Sequence, residues 1–337
     1  MYNPEPIRIA INGFGRIGRT LTRIIWNDPR FEIAAINDLV PLETAAHLLR
    51  YDSIHGLFPA EVSSGNSQLI IDGKAIAYSR IPEVCNLNWE DLRPAYCIDA
   101  TGRHKTVAQL NPYIKSENQK VILTAPPEDS AIPMVVVGVN DNLLSASSAI
   151  VSNASCTTNN AAPMIKVIDE CCGIESCYIT TVHSYTGDQR LQDAPHRDFR
   201  RARAAALSII PTSTGAAKAL TRVFPHLAES MGGCGMRVPV PDGSLTDITC
   251  IVRNPCRTDE LNAAFRLAAE SSLKHILQYT EDPIVSVDVI GNPHSCVFDS
   301  GLTSVIGRMV KVVGWYDNEF GYSSRLRDLV VRMSDQF

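Results

Sequence analysis

No apolar stretch in this 337-residue chain approaches the roughly 20 residues that a helix needs to cross a bilayer. The chain also has no long basic run, and its net charge of -5 argues against a nucleic-acid-binding protein. Its ten cysteines form no C-x-x-C pair, which disfavours a metal site or a disulfide framework. Residues 1–6 are polar and lead into a strand, so we expect no signal peptide. We therefore expect a cytoplasmic protein that binds neither membrane nor nucleic acid.

Internal repeats, low-complexity tracts and long linkers are absent as well. Hydrophobic residues make up 45% and charged residues 20% of the chain, whose length suffices for two domains with their own cores. In the first half, short apolar strands alternate with helical segments, which predicts an α/β fold with a doubly wound parallel sheet. These predicted strands cover 7–11, 31–36, 96–100, 121–123 and 134–139.

The second half has a different pattern, with longer β-branched strands. We predict strands over 178–182, 246–252 and 284–289, and helices near 210–222 and 258–276. Strands that do not alternate regularly with helices indicate an α+β domain with a mixed or antiparallel sheet. The last segment predicts a further helix, because apolar side chains recur on one helical face. These side chains are Tyr322, Leu326, Leu329, Val330 and Met333.

A glycine motif, Gly13-x-Gly15-x-x-Gly18, follows the first predicted strand and opens a helix. Glycines there permit a tight turn and a close approach of backbone amides to a pyrophosphate. Asp38 ends the second strand, where a carboxylate can accept hydrogen bonds from a ribose hydroxyl. The motif alone could be a structural turn, but this context favours dinucleotide binding. Because Asp38 would also repel a 2′-phosphate, we expect NAD rather than NADP.

The stretch Ser155-Cys156-Thr157-Thr158-Asn159 follows a predicted strand, and apolar residues with helical spacing continue from 161 to 168. Cys156 is therefore predicted at a helix N-terminus. The free amides and dipole there favour an anion, which would lower the pKa of the thiol and make a nucleophile. The structural alternative is that Cys156 is one buried thiol among ten.

His183 ends the strand predicted over 178–182 and begins a polar loop. Beside Cys156 it could pair with the thiolate and act as a general base, although a lone histidine is more often structural. Two further segments, 196–203 and 211–215, carry arginines, hydroxyls and free amides that suit an anion. A solvated charged face and an ordinary helix N-cap are their structural alternatives.

Motifs along essentially the whole chain resemble those of the phosphorylating glyceraldehyde-3-phosphate dehydrogenase family. The matching segments are INGFGRIGR at 11–19, SNASCTTN at 152–159, TTVHSYTGDQ at 180–189, HRDFRRARAAA at 196–206, IIPTSTGAAKA at 209–219, RVPVP at 237–241 and WYDNEFGYS at 315–323. The resemblance implies a Rossmann NAD-binding domain over 1–155, completed by a C-terminal helix at 318–337, and a catalytic domain over 156–317. It also implies a homotetramer.

The activity that the resemblance implies is the NAD-dependent oxidation of glyceraldehyde 3-phosphate, with inorganic phosphate, to 1,3-bisphosphoglycerate, in glycolysis or gluconeogenesis. Cys156 corresponds to the nucleophile that forms a thiohemiacetal and then a thioester, and His183 to its base. The implied cofactor contacts are Gly13, Gly15, Arg16, Ile17, Gly18, Asp38, Arg80, Thr124 and Asn318. The implied contacts of the attacking phosphate are Ser155, Thr157, Arg201, Thr214 and Gly215. The implied contacts of the substrate's C3 phosphate are Thr186, Asp188 and Arg237.

The chain departs from the family pattern in places. His104 stands where phenylalanine is frequent, near the adenine end of the cofactor, and segment 241–244 replaces the usual Asn-Val-Ser pattern. Two alternatives remain open at this point: erythrose-4-phosphate dehydrogenase, which hydrolyses its thioester, and a catalytically silent NAD-binding scaffold. The intact segment 214–218 favours the phosphorylating enzyme, and intact Cys156 and His183 disfavour the scaffold.

Overall fold

The computed structural model describes residues 5–336, which divide into two compact units. The first unit takes the chain up to Val135, the segment Asn142–Ala154 and the chain from Ser323 onward. The second takes Val136–Asp141 and Ser155–Tyr322.

The first unit is built on an eight-stranded sheet with the order β10-β9-β8-β1-β2-β7-β6-β5. The strands of this sheet are β1 (Ile7–Asn12), β2 (Phe31–Asn37), β5 (Val62–Gly65), β6 (Gln68–Ile71), β7 (Lys74–Ser79), β8 (Tyr96–Asp99), β9 (Lys120–Leu123) and β10 (Ile150–Ser152). The strands β3 (Tyr51–Asp52) and β4 (Gly56–Leu57) form a separate short hairpin. The helices of the first unit are α1 (Arg16–Ile25), α2 (Leu42–Arg50) and α3 (Val107–Leu110).

The pairing of this sheet confirms the predicted doubly wound fold. Every pair from β10 across to β7 is parallel, and only β5 and β6 add an antiparallel edge. The chain runs from β1 to β2 on one side and returns to β8 on the other, so β1 marks the topological switch point. Open α/β sheets bind ligands at the carboxyl ends of the strands at this point.

The second unit contains a mixed sheet with the order β12-β13-β11-β14-β18-β16-β15. Its strands are β11 (Ile174–Ser184), β12 (Ile210–Thr212), β13 (Met231–Val238), β14 (Ser244–Val252), β15 (Leu277–Thr280), β16 (Cys296–Asp299), β17 (Ser304–Ile306) and β18 (Met309–Tyr316). Its helices are α4 (Cys156–Cys172), α5 (Gly215–Val223) and α6 (Thr258–Glu270), and α7 (Phe320–Gln336) ends the chain.

Helix α4 packs closely against the sheet of the second unit at Gly314 of β18, a position that has no side chain. A Cβ at Gly314 of β18 would lie 2.6 Å from Cys296 Sγ and 2.7 Å from Met164 Sδ, so only glycine fits there. The apolar face of α4 predicted from 161–168 is buried, which confirms the helix. This close contact fixes the helix, and with it the residues at its N-terminus.

Four predicted elements are wrong in part, and the first is the helix predicted over 258–276, which ends at Glu270. Segment 134–139 is buried but forms only an isolated bridge at Met134, because its backbone turns after Val135. The segment predicted as a strand over 284–289 contains the 3₁₀ turn Ser286–Val289. The helix predicted over 210–222 begins only at Gly215, since Ile210–Thr212 pairs as a strand with β13.

The ten cysteines are all free thiols. No helix within residues 5–336 is both long enough and apolar enough to cross a membrane.

Candidate active site and cofactor cavity

The second unit brings Cys156 and His183 together, as the sequence predicts. Cys156 is the first residue of α4, and Ser155 caps the helix by accepting a 3.1 Å hydrogen bond from the Thr158 amide. His183 lies near the end of β11 and is buried. Cys156 Sγ is 3.4 Å from His183 Nε2, which is within hydrogen-bond reach for a sulfur atom. The pair has the geometry of a nucleophile and its base.

The charge state of this pair differs from the sequence-based expectation. Burial raises the pKa of the Cys156 thiol and outweighs the nearby Arg237 charge and the Thr157 amide, which lower it. Burial and the Arg237 guanidinium together lower the pKa of His183 to about 3. Both shifts favour a thiol beside a neutral imidazole. The predicted fall in the thiol pKa is wrong, because the effect of burial on the thiol exceeds the effect of the helix N-terminus.

Arg237 reaches the site through strand pairing. β11 and β13 are parallel, and their register places His183 opposite Arg237. Arg237 Nη1 lies 2.7 Å from His183 Nδ1 and 2.9 Å from the Ser184 carbonyl oxygen. His183 Nδ1 is also 2.8 Å from that carbonyl. In the neutral imidazole, Nδ1 can donate to the carbonyl or accept from Arg237, but it cannot do both. The position of Arg237 therefore influences which ring nitrogen of His183 carries the proton.

Tyr316 is a residue of the site to which the sequence analysis assigned no role. Its hydroxyl lies 2.9 Å from Thr157 Oγ1 and 3.1 Å from Thr181 Oγ1, and its ring meets His183 edge to face at 6.0 Å. It thus ties the start of α4 to β11. The only sequence signal was its place in the motif at 315–323, because its proximity depends on the β14–β18 pairing.

The residues predicted to bind two separate phosphates are partly joined in the structure. Arg201 Nη1 donates to Asp188 Oδ2 at 2.7 Å, and Arg201 Nε donates to Thr212 Oγ1 at 3.0 Å. Thr186 lies in the same loop, where its amide donates to Gln189 Oε1 at 3.3 Å. Asp188 therefore orients an arginine, which is a more plausible role for a carboxylate than direct contact with an anion.

Thr214 and Gly215 form a second polar corner at the start of α5. Thr214 caps the helix by accepting a 3.2 Å hydrogen bond from the Ala216 amide. A Cβ at Gly215 would meet no atom within 4 Å, so the backbone there is open to an approaching group. An open helix N-terminus with free amides suits an anion.

A cavity of about 340 Å³ lies in the first unit at the topological switch point. Its walls come from the carboxyl ends of β1, β2 and β8 and from the loops that follow them. The lining residues are Asn12, Gly13, Gly15, Asn37, Asp38, Leu39, Val40, Ile81, Pro82, Ala100, Thr101 and Arg103.

The glycines of the motif fit a bound dinucleotide. Gly13 has a φ of +93°, and a Cβ there would lie 2.6 Å from the Ala100 carbonyl carbon. A Cβ at Gly18 would collide with the Gly13 carbonyl oxygen, so the turn and the helix pack without side chains. Gly15 caps α1 with no side-chain partner, and a Cβ there would face open space. The amides at this helix N-terminus are therefore accessible to a pyrophosphate.

The Asp38 carboxylate accepts a hydrogen bond from the glycine loop and stabilises it. Its Oδ2 accepts a hydrogen bond from the Phe14 amide, and its Oδ1 accepts one of 3.0 Å from the Val40 amide. A carboxylate has acceptor positions left after two such bonds, so Asp38 can still receive a ribose hydroxyl. Arg16 and Ile17 begin α1, and Arg16 Nη1 donates to Asp52 Oδ2 at 2.6 Å. The side chain of Arg16 thus contacts Asp52, while its backbone forms the first residue of α1.

The remaining predicted cofactor residues are spread over both units. Arg80 donates to the Leu39 carbonyl at 3.1 Å, next to the cavity, and the Thr124 amide donates to the Asp99 carbonyl at 3.1 Å. Asn318 belongs to the second unit, where its Oδ1 accepts hydrogen bonds from Ser184 Oγ at 2.9 Å and Ser244 Oγ at 2.7 Å. Asn318 is thus fixed next to the residue that follows His183.

Comparison with known proteins places both units in one family. Residues 155–318 match the domain described as glyceraldehyde 3-phosphate dehydrogenase, C-terminal domain, and residues 7–107 match its NAD binding domain. A glyceraldehyde-3-phosphate dehydrogenase of Streptomyces coelicolor is 49% identical over 334 residues, covering 98% of this chain and 99% of the relative. One from Mycobacterium avium is 47% identical over 333 residues, covering 96% and 97%. The chain therefore belongs to the glyceraldehyde-3-phosphate dehydrogenase family.

Proposed function

We propose that this protein oxidises glyceraldehyde 3-phosphate, with NAD and inorganic phosphate, to 1,3-bisphosphoglycerate. The observation that carries the proposal is the contact of 3.4 Å between Cys156 Sγ and His183 Nε2, with Arg237 beside the same imidazole. A nucleophile, a base and a phosphate-binding cation then lie within one site.

The proposed chemistry uses the residues in two stages. Cys156 attacks the aldehyde carbon, and its proton passes through His183 Nε2 to the aldehyde oxygen, which gives a thiohemiacetal. NAD supplies the acceptor for the hydride that leaves this carbon, while His183 takes the hydroxyl proton and a thioester remains. Phosphate then attacks the thioester carbon, the C–S bond breaks, and His183 returns its proton to the Cys156 sulfur.

The test is NADH formation from glyceraldehyde 3-phosphate with and without inorganic phosphate, with product analysis. Steady turnover that requires phosphate and gives an acyl phosphate is the expected result. Turnover without phosphate that releases a free acid would instead indicate the hydrolytic chemistry of erythrose-4-phosphate dehydrogenase. Absence of any NADH burst would indicate a silent scaffold.

Two variants should separate the two proposed anion sites. Arg237→Leu should chiefly raise KM for glyceraldehyde 3-phosphate by about 10- to 150-fold, because a charged hydrogen bond to a phosphate is lost. Thr214→Ala should chiefly raise KM for inorganic phosphate, while the first-turnover burst of NADH survives because acylation precedes phosphate attack. Identical effects of both changes on both KM values would show that the two sites are not distinct.

Cofactor choice should depend on Asp38, whose carboxylate faces the dinucleotide cavity. Wild-type kcat/KM should favour NAD, and Asp38→Asn should narrow the preference, because it removes the charge that repels a 2′-phosphate. Asparagine keeps an acceptor for the Phe14 or Val40 amide, so the loop should survive better than in Asp38→Ala. Equal efficiency of NAD and NADP in the wild type would contradict this role.

We also propose that the chain forms a homotetramer in the cytoplasm. Segment 191–209 of the second unit exposes large apolar side chains, among them Leu191 at 80% and Phe199 at 89%, which suits a covered interface. Ten free thiols suit a reducing compartment. Sedimentation velocity would test the assembly, and a monomer at micromolar concentration would contradict it.

A further inference from the structure

His104, which departs from the family pattern, is held on a buried carboxylate. His104 Nδ1 lies 2.6 Å from Asp99 Oδ2, and the Asp99 side chain is fully buried. Tyr113 donates its hydroxyl to the same oxygen at 2.7 Å. Thr101 donates both its amide, at 3.0 Å, and its hydroxyl, at 2.7 Å, to Asp99 Oδ1. Each carboxylate oxygen of Asp99 thus has two hydrogen-bond partners.

This cluster is continuous with the wall of the dinucleotide cavity. Asn12 donates to the Tyr113 hydroxyl, and Asn37 donates to Asn12 Oδ1 at 2.8 Å. All four of Asn12, Asn37, Thr101 and Arg103 are among the residues that line the cavity. Arg103 is bound into the same loop, because its amide donates to Thr101 Oγ1 at 3.1 Å. Asp99 is therefore connected to the cavity lining directly through Thr101 and indirectly through Tyr113 and Asn12.

We infer that protonated His104, bound to Asp99, is a positioning residue of the dinucleotide cavity. We also infer that NAD binding is linked to this proton of His104. The inference rests on the proposed NAD-dependent function. NAD brings negative charge, which attracts a nearby imidazolium directly, and it displaces water from the cavity, which reduces the screening between the imidazolium and the carboxylate. NAD therefore binds more tightly to the protein whose His104 is protonated.

The electrostatic surroundings agree with this arrangement. The hydrogen bond to Asp99 raises the pKa of His104 above its ordinary value, against the opposing effects of partial burial and of Arg103. Glu83 adds a smaller attraction. A raised pKa in the folded state means that the pair stabilises the protein fully at acid pH. That stabilisation is lost as the pH rises through the pKa of the folded state.

The experiment measures NAD binding by calorimetry between about pH 6 and 9 in wild type and His104→Gln, a span that brackets an ordinary and a raised histidine pKa. Glutamine can donate a neutral hydrogen bond to Asp99 but cannot titrate. The wild-type Kd should increase about fivefold across this range, as a charge-assisted bond becomes a neutral one. Wild type should also take up protons on binding, as shown by buffers of different ionisation enthalpy. His104→Gln should show a pH-independent Kd near the wild-type alkaline value and no proton uptake.

His226→Gln is the matched control. His226 Nε2 lies 2.8 Å from Asp169 Oδ2 in the second unit, so the change removes a comparable histidine–aspartate contact away from the cavity. It should bind NAD and take up protons as wild type does. Equal Kd profiles and equal proton uptake in wild type and His104→Gln would overturn the inference, whereas failure of wild type to bind NAD at any pH would overturn the proposed function itself.

A second readout uses the protein without NAD. The difference in Tm between wild type and His104→Gln should be largest at pH 6 and should shrink as the pH rises. A difference that does not change with pH would show that His104 supports the loop by packing alone, and would contradict the inference.

Discussion

Replacing Cys156 by serine should lower turnover by about 10⁴-fold or more and leave NAD binding almost unchanged. The hydroxyl is a much weaker nucleophile than the thiol, because its far higher pKa makes its deprotonation by His183 during attack on the aldehyde much less favourable. The proposed cofactor loop lies in the first unit and the cysteine in the second, so the fold of the cavity does not depend on the sulfur. Calorimetric titration with NAD and a steady-state assay measure the two effects.

Cys171→Ser is the matched control for this experiment. Cys171 lies at the other end of α4 and is exposed, so the same chemical change there should leave kcat within about twofold of wild type. If Cys156→Ser keeps more than a few per cent of wild-type activity, the nucleophile is a different residue.

Replacing His183 by asparagine should lower kcat by about 10²- to 10⁴-fold, the usual contribution of a general base. Asparagine can still occupy the space between Cys156 and the Ser184 carbonyl, but it cannot take a proton. Alkylation of Cys156 by iodoacetamide at neutral pH should slow in this variant, because the thiol loses its proton acceptor.

The wild-type alkylation rate adds a pH test of the same pair. Burial raises the pKa of the Cys156 thiol, so the rate should climb steadily between about pH 6 and 9. A fast rate already constant from pH 6 would instead indicate a preformed thiolate–imidazolium pair, and would contradict the neutral pair described above. Alkylation kinetics of His183→Asn that match those of wild type across this range would remove His183 from the role of base.

The sequence predicts those parts of the site that depend on local order. The glycine motif and Asp38 follow adjacent strands of a parallel sheet, and the end of β10 leads directly to Cys156 at the start of α4. Such features follow from alternation and helical periodicity, which act over a few residues. The same reasoning fails at Ser286–Val289, where a β-branched run forms a 3₁₀ turn because tertiary packing outweighs strand propensity.

The rest of the site depends on pairings that no local pattern specifies. Arg237 lies opposite His183 only because β13 pairs in parallel with β11 in one register. Tyr316 reaches Thr157 through a strand 159 residues further along the chain. His104 is visible in the sequence as an unusual residue, but its partner Asp99 precedes it by a loop whose path must be known. The balance between burial and charge at Cys156 likewise requires the packed structure.

The register between β11 and β13 also limits how this chain can change length during evolution. One residue inserted into either strand would move Met236 or Val238 opposite His183 and would turn the following side chains to the other face of the sheet. Insertions within Cys177–Ser184 or Met231–Val238 should therefore abolish activity, whichever residue is added.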